Sequence, residues 1–184
     1  MTKEEFIKYV FDSNGIRLTD DQFYGKKMID NLLLVSLTEI PEGFNPKVGG
    51  SLYLNRLTSI PEGFNPEVGG DLNLDNLTQI PEGFSPVVGG DLWLDSLTSL
   101  PEGFNPVVGG ILNLNSLTSI SEGFSPVVGG KLLLGSLTEI PENWNPINVD
   151  DIYIVEEVDD DSIYIIVDDD NIKPILNFMN FNIT

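Results

Sequence analysis

The chain has 184 residues, neither cysteine nor histidine, and 29 acidic against 9 basic side chains, a formal net charge of −20. Without Cys or His, disulfides, thiolate metal sites and Ser-His-Asp or Cys-His catalysis are excluded. So negative a chain opposes direct contact with nucleic acid or an anionic membrane but suits a basic protein partner.

The apolar share of 41% is that of a globular domain. The opening MTKEEFIKYVFDSNG carries charge from residue 3 and no apolar run, so no leader peptide is expected. No stretch approaches the roughly 18 apolar residues of a membrane span, and the expected location is the cytoplasm.

Residues 1–30 read as an N-terminal helical cap. Thr2 with Glu5 and Thr19 with Gln22 each fit the S/T-x-x-E/Q capping box. They predict helices near 3–12 and 20–30, separated by a Ser-Asn-Gly turn. Phe6, Tyr9, Val10, Phe23, Met28 and Ile29 are the side chains expected to cover the open end of the repeat region beginning at Asn31.

From Asn31 the chain repeats every 20 residues. Five rows, 31–50 to 111–130, share x-L-x-L-x-x-L-T-x-[IL]-[PS]-E-G-F-x-P-x-V-G-G, and a sixth, 131–150, keeps KLLLGSLTEIPE but ends NWNPINVD. The x-L-x-L-x segment alternates with period two and predicts a short strand with one buried face. The series Leu32 to Leu132 and Leu34 to Leu134 stack as internal columns, and those starting at Leu37, Ile40 and Phe44 fill the interior. Pro-Glu-Gly supplies turn chemistry and Gly-Gly a second corner. One coil cannot bury its own apolar face, but stacked coils share a core. Six or seven coils at about 4.8 Å per rung give a parallel sheet about 30 Å long. The expected fold class is a mainly β repeat solenoid. Residues 151–184, where DIYIV and SIYIIV flank acidic EEVDDD, form a β-rich acidic cap that closes it.

The pattern L-x-L-x-x-L-T-x-I-P-E-G-F resembles leucine-rich-repeat proteins, especially the short bacterial and tailed-phage type with units of 20 to 22 residues. The resemblance covers residues 31–150 and implies leucine-rich-type coils around a parallel sheet. The asparagine that follows the strand in the usual repeat is missing, so an asparagine ladder is not implied.

Because folding explains the recurring positions, function is sought where the rows differ. The outward strand positions place Asp71, Asp75, Asp91 and Asp95 around Asn73 and Trp93 on neighbouring rungs, with Tyr53 one rung before. Like charges about 5 Å apart repel by roughly 1 kcal/mol in water and about 3 at an effective dielectric of 20, and the repeat offers no folding reason to stack them. The patch is read either as a solvated surface or as the receptor of a cation, most simply a partner's Arg or Lys over Trp93. Calcium is the weaker option because the turn spacing of calcium solenoids is absent, and no cofactor or metal is expected.

The C-terminal carboxylates Glu156, Glu157, Asp159, Asp160, Asp161, Asp168, Asp169 and Asp170 are a second candidate. They serve solubility and edge protection, or else imitate a nucleic-acid backbone in a partner's basic groove. The Gly-Gly pairs lack a following Lys-Ser/Thr, which favours turns over phosphate binding. No deep pocket is expected to raise a carboxyl pKa, so an enzyme is not expected. Three functions are compatible with these features: a non-enzymatic protein-binding module, a phage-encoded inhibitor of a host nucleic-acid-binding defence enzyme acting by acidic mimicry, or a structural subunit of a virion or other assembly.

Overall fold

The computed structural model describes residues 1–141, 144, 149–158, 161–167 and 182–183, with side chains at 1–138, 141 and 144. Each 20-residue coil contributes two strands of two residues rather than one of five. Leu32–Leu33, Leu52–Tyr53, Leu72–Asn73, Leu92–Trp93 and Leu112–Asn113 stack in parallel register as one ladder. Met28–Ile29, Lys47–Val48, Glu67–Val68, Val87–Val88 and Val107–Val108 form a second. The ladders run on either side of the Gly-Gly pairs and merge in the seven-residue strand Val127–Leu133. The fold is a parallel β-solenoid, mainly β with a short N-terminal helix.

The interior is built from columns. The leucines at the two inward strand positions are fully buried from Leu32 and Leu34 to Leu132 and Leu134. The Phe44, Phe64, Phe84, Phe104 and Phe124 rings stack with centroids 6.1 to 6.5 Å apart. Trp144 continues the column, 6.4 Å from Phe124, and its indole Nε1 donates to the Phe124 carbonyl at 2.7 Å. A further buried column, Val48, Val68, Val88, Val108 and Val128, belongs to the second ladder.

The two glycine motifs do different work. Gly43, Gly63, Gly83 and Gly103 have φ of 76 to 77° in turns closed by a Phe N–H donating to the Pro carbonyl three residues back. This is the backbone conformation that only glycine adopts without cost. The Gly-Gly pairs form the expected corner, the chain bending at 49–50, 69–70, 89–90 and 109–110, and they also answer a close approach. A Cβ on Gly69, Gly89 or Gly109 would overlap the backbone carbonyl oxygen of the equivalent glycine one coil earlier.

Helix α1 (Lys3–Asn14) has the expected capping box, the Thr2 hydroxyl accepting from Glu5 N–H and the Glu5 carboxylate from Thr2 N–H. Phe6 and Val10 are buried, and the Phe6 and Phe23 rings meet Phe44 at 4.5 and 5.4 Å. Thr2→Ala is expected to cost about 1 kcal/mol in urea unfolding. The Thr2 N–H holds the Glu5 carboxyl below its ordinary pKa. Its contribution is therefore present above the ordinary carboxylate range and is lost as pH falls through the lowered value.

Helix α2 (Asp20–Phe23) has its capping box too but ends far short of residue 30. Gly25, at φ 69°, turns the chain, and Met28–Ile29 becomes the first rung of the second ladder. Phe6, Val10, Phe23 and Ile29 therefore cover the first coil, while Tyr9 is half-buried and Met28 is exposed.

At the other end Val149–Val158 adds a parallel rung to Val127–Leu133 and folds back as an antiparallel hairpin with Asp161–Val167. Glu139–Ile140 pairs with Asn182–Ile183. Among the described residues no helix is long and apolar enough to cross a membrane.

Candidate functional site

The exposed face of the first ladder is set by period two: with Leu92 and Leu94 buried, Asp91, Trp93 and Asp95 are carried on the opposite side. Trp93 lies in register between Asn73 and Asn113, and Tyr53 opposes Asn73 from the other side. Tyr53, Asn73 and Trp93 are half-buried; Asn113, 5% exposed, is covered.

The first outward column has a folding reason that its sequence concealed. Asn31 Oδ1 accepts from Ser51 N–H, Ser51 Oγ from Asp71 N–H, Asp71 Oδ1 from Asp91 N–H and Asp91 Oδ1 from Ile111 N–H, at 2.7 to 3.0 Å. Each side chain thus satisfies a backbone donor one coil ahead, and Asp71 and Asp91 are two rungs of a polar ladder. A hydrogen bond between a carboxylate and a half-buried backbone donor outweighs screened repulsion between half-exposed neighbours. Asp71→Asn, which keeps the acceptor, is therefore expected to leave stability within about 0.5 kcal/mol. Asp71→Ala, which orphans the Asp91 N–H, should cost about 1–3 kcal/mol by urea unfolding. Equal losses for the two would contradict the ladder.

The remaining carboxylate oxygens are not equivalent. Asp71 Oδ2 accepts from the Tyr53 hydroxyl at 3.5 Å. Asp75 Oδ2 accepts from Asn73 Nδ2 at 2.8 Å, and Asp75 N–H donates to Asn73 Oδ1. Asp75 Oδ1 is buried without a hydrogen-bond partner. Asp91 and Asp95 stand two residues to either side of Trp93, Asp91 just before the strand Leu92–Trp93 and Asp95 at the start of the turn that follows it. A hydrogen bond links Asp71 to Asp91 and two tie Asp75 to Asn73, whereas the carboxylates of Asp91 and Asp95 accept from no side chain among the described residues. Among the described residues no three acidic side chains are grouped to hold a metal ion.

A second side-chain ladder runs through the Phe-[Asn/Ser]-Pro position, where Asn45 Oδ1 accepts from Asn65 N–H, Asn65 Oδ1 from Ser85 N–H and Asn105 Oδ1 from Ser125 N–H. An asparagine ladder therefore exists, at a place other than the one that follows the strand. Sequence reasoning also passes over Glu42, Glu62, Glu82, Glu102 and Glu122, an exposed column at the turn, and the exposed apolar residues Phe11, Leu33 and Val35. The repeat itself carried the signal for the glutamates: an invariant acidic residue at a turn position that any side chain could fill.

Of the C-terminal carboxylates, Glu156, Glu157 and Asp161 fall in the antiparallel hairpin, opposite Ile163, Ser162 and Val158. Asp159, Asp160, Asp168, Asp169 and Asp170 lie outside the described residues. Comparison of the chain with family models, with curated proteins and with solved structures gave no match.

Proposed function

We propose that this chain is a non-enzymatic protein-binding solenoid of the leucine-rich-repeat-like kind, working in the cytoplasm and holding a basic protein partner on the Tyr53/Trp93 face. The observation that supports this most is Trp93 between Asp91 and Asp95. Neighbouring coils carry Asn73 and Asn113 at the same place, so the coil does not need an aromatic there. A half-exposed indole with carboxylates on both sides matches a guanidinium or ammonium group, which gains from the ring face and from the charges together. Alanine at Trp93 and Tyr53 is expected to weaken a captured partner at least tenfold with the melting temperature retained. An unchanged dissociation constant would sink the reading.

A second reading is acidic mimicry by a phage-encoded inhibitor of a host nucleic-acid-binding defence enzyme. Its support is the hairpin, which beyond Tyr153 pairs only with itself among the described residues and carries Glu156, Glu157 and Asp161 at its far half. Under that reading DNA or RNA competes the partner away and Trp93→Ala leaves affinity intact.

A further inference from the structure

The outward face of the first ladder is divided by coil. In the first two coils it reads Asn31, Leu33, Val35 and Ser51, Tyr53, Asn55, without a charge; in the next two it reads Asp71, Asn73, Asp75 and Asp91, Trp93, Asp95, with four; in the fifth, Ile111, Asn113, Asn115, it is uncharged again. The first of these coils also carries the most exposed apolar side chains of the face. Leu33 is 53% and Val35 49% exposed, although both are large aliphatic side chains.

The helical cap abuts this coil. Asn14 Oδ1 accepts from Leu33 N–H at 3.0 Å, which fixes the last turn of α1 against the first rung. Phe11, three residues earlier on the same helix face, is 48% exposed. It walls a shallow pocket of about 360 Å³ with Ile7 and Leu18, and the Arg17 guanidinium stands 5.8 Å from its ring centroid. Leu33 and Val35 are thus exposed apolar side chains of the first coil, which the last turn of α1 abuts, and Tyr53 stands in register with Leu33 one rung nearer the acidic coils.

From this division we infer that the partner engages the face through an extended segment lying along the stacking axis, with an apolar side chain on Leu33 and Val35 and an Arg or Lys at Asp91, Trp93 and Asp95. Leu33 and Trp93 are three rungs apart, about 14 Å. An extended chain rising 3.3–3.4 Å per residue spans that in about four residues, so the apolar and basic side chains are separated by about four positions. The inference rests on the binding face proposed above and specifies the chemistry of what it binds.

The test is selection of a random dodecapeptide display library on the immobilised full chain, followed by titration of the enriched peptides. Leu33→Gln/Val35→Gln and Asp91→Asn/Asp95→Asn serve as variants, each first shown to melt like the parent. Enriched peptides are expected to carry an apolar residue about four positions from Arg or Lys, with affinity falling at least tenfold in each variant. Basic peptides weakened only by the aspartate substitutions would overturn the two-part segment while leaving the binding face in place. Peptides with the two residues at helical spacing would overturn its extended form. Absence of enrichment, or binding indifferent to both variants, would overturn the segment and the binding face together.

Discussion

Replacing Phe84 with alanine is expected to cost about 3–5 kcal/mol in urea unfolding, the largest loss from any single side chain of the repeat. Phe84 is 2% exposed, and its ring stacks on Phe64 at 6.4 Å and Phe104 at 6.1 Å, nearly parallel to both. Truncation removes contacts to the coil on each side and leaves a cavity the neighbours cannot collapse into, because their own rings are held by the next coils. A solenoid is stable only through such nearest-neighbour terms, so weakening two adjacent interfaces at its middle should also broaden the transition. Phe84→Leu, which fills most of the volume, should lose well under half as much. A cost for Phe84→Ala below about 1 kcal/mol would show that the phenylalanine column does not hold the coils together.

Gly89→Ala is expected to be damaging as well, at about 1–3 kcal/mol, for a reason no side-chain contact reveals. The added Cβ would overlap the Gly69 carbonyl oxygen. That atom is backbone and cannot turn aside, so the two coils must part and weaken the inter-coil bonds Gly89 N–H to Val68 O and Gly90 N–H to Gly70 O, at 2.8 and 2.9 Å. Gly83→Ala gives the contrast: its Cβ meets nothing within 4 Å, but φ is 77°. Only the left-handed conformation is penalised there, by about 1–2 kcal/mol. Thermal melts of the two variants therefore separate steric spreading from backbone strain. A Gly83 variant clearly less stable than the Gly89 variant would contradict this division.

The scaffold was legible because its causes repeat. A leucine at every second strand position, a phenylalanine every twenty residues and Pro-Glu-Gly before it each recur enough to be read as columns and turns, and each is found in that role. The second ladder was not legible, since a single valine between a variable residue and Gly-Gly makes no alternation for a period-two reading to detect. Helix α2 was overextended because its capping box marks a start and says nothing of an end, which Gly25 and the pairing of Met28–Ile29 with Lys47–Val48 impose. The site was half legible. That Asp71, Asp75, Asp91 and Asp95 share a face follows from the repeat. That Asp71 and Asp91 each satisfy a backbone donor one coil ahead depends on side-chain geometry, which composition does not encode. The consequence for function is a narrower site, centred on Trp93 with Asp91 and Asp95.

The sharpest measurement is fluorescence titration of that site with a short arginine peptide, tri-arginine amide. Trp144→Phe, which restores the residue other coils carry in the same column, leaves Trp93 as the sole tryptophan. Saturable change in Trp93 emission, weakened by salt and lost in Asp91→Asn/Asp95→Asn, is the expected result. Emission that does not respond, or responds equally in the asparagine variant, would contradict a cation-binding face at Trp93.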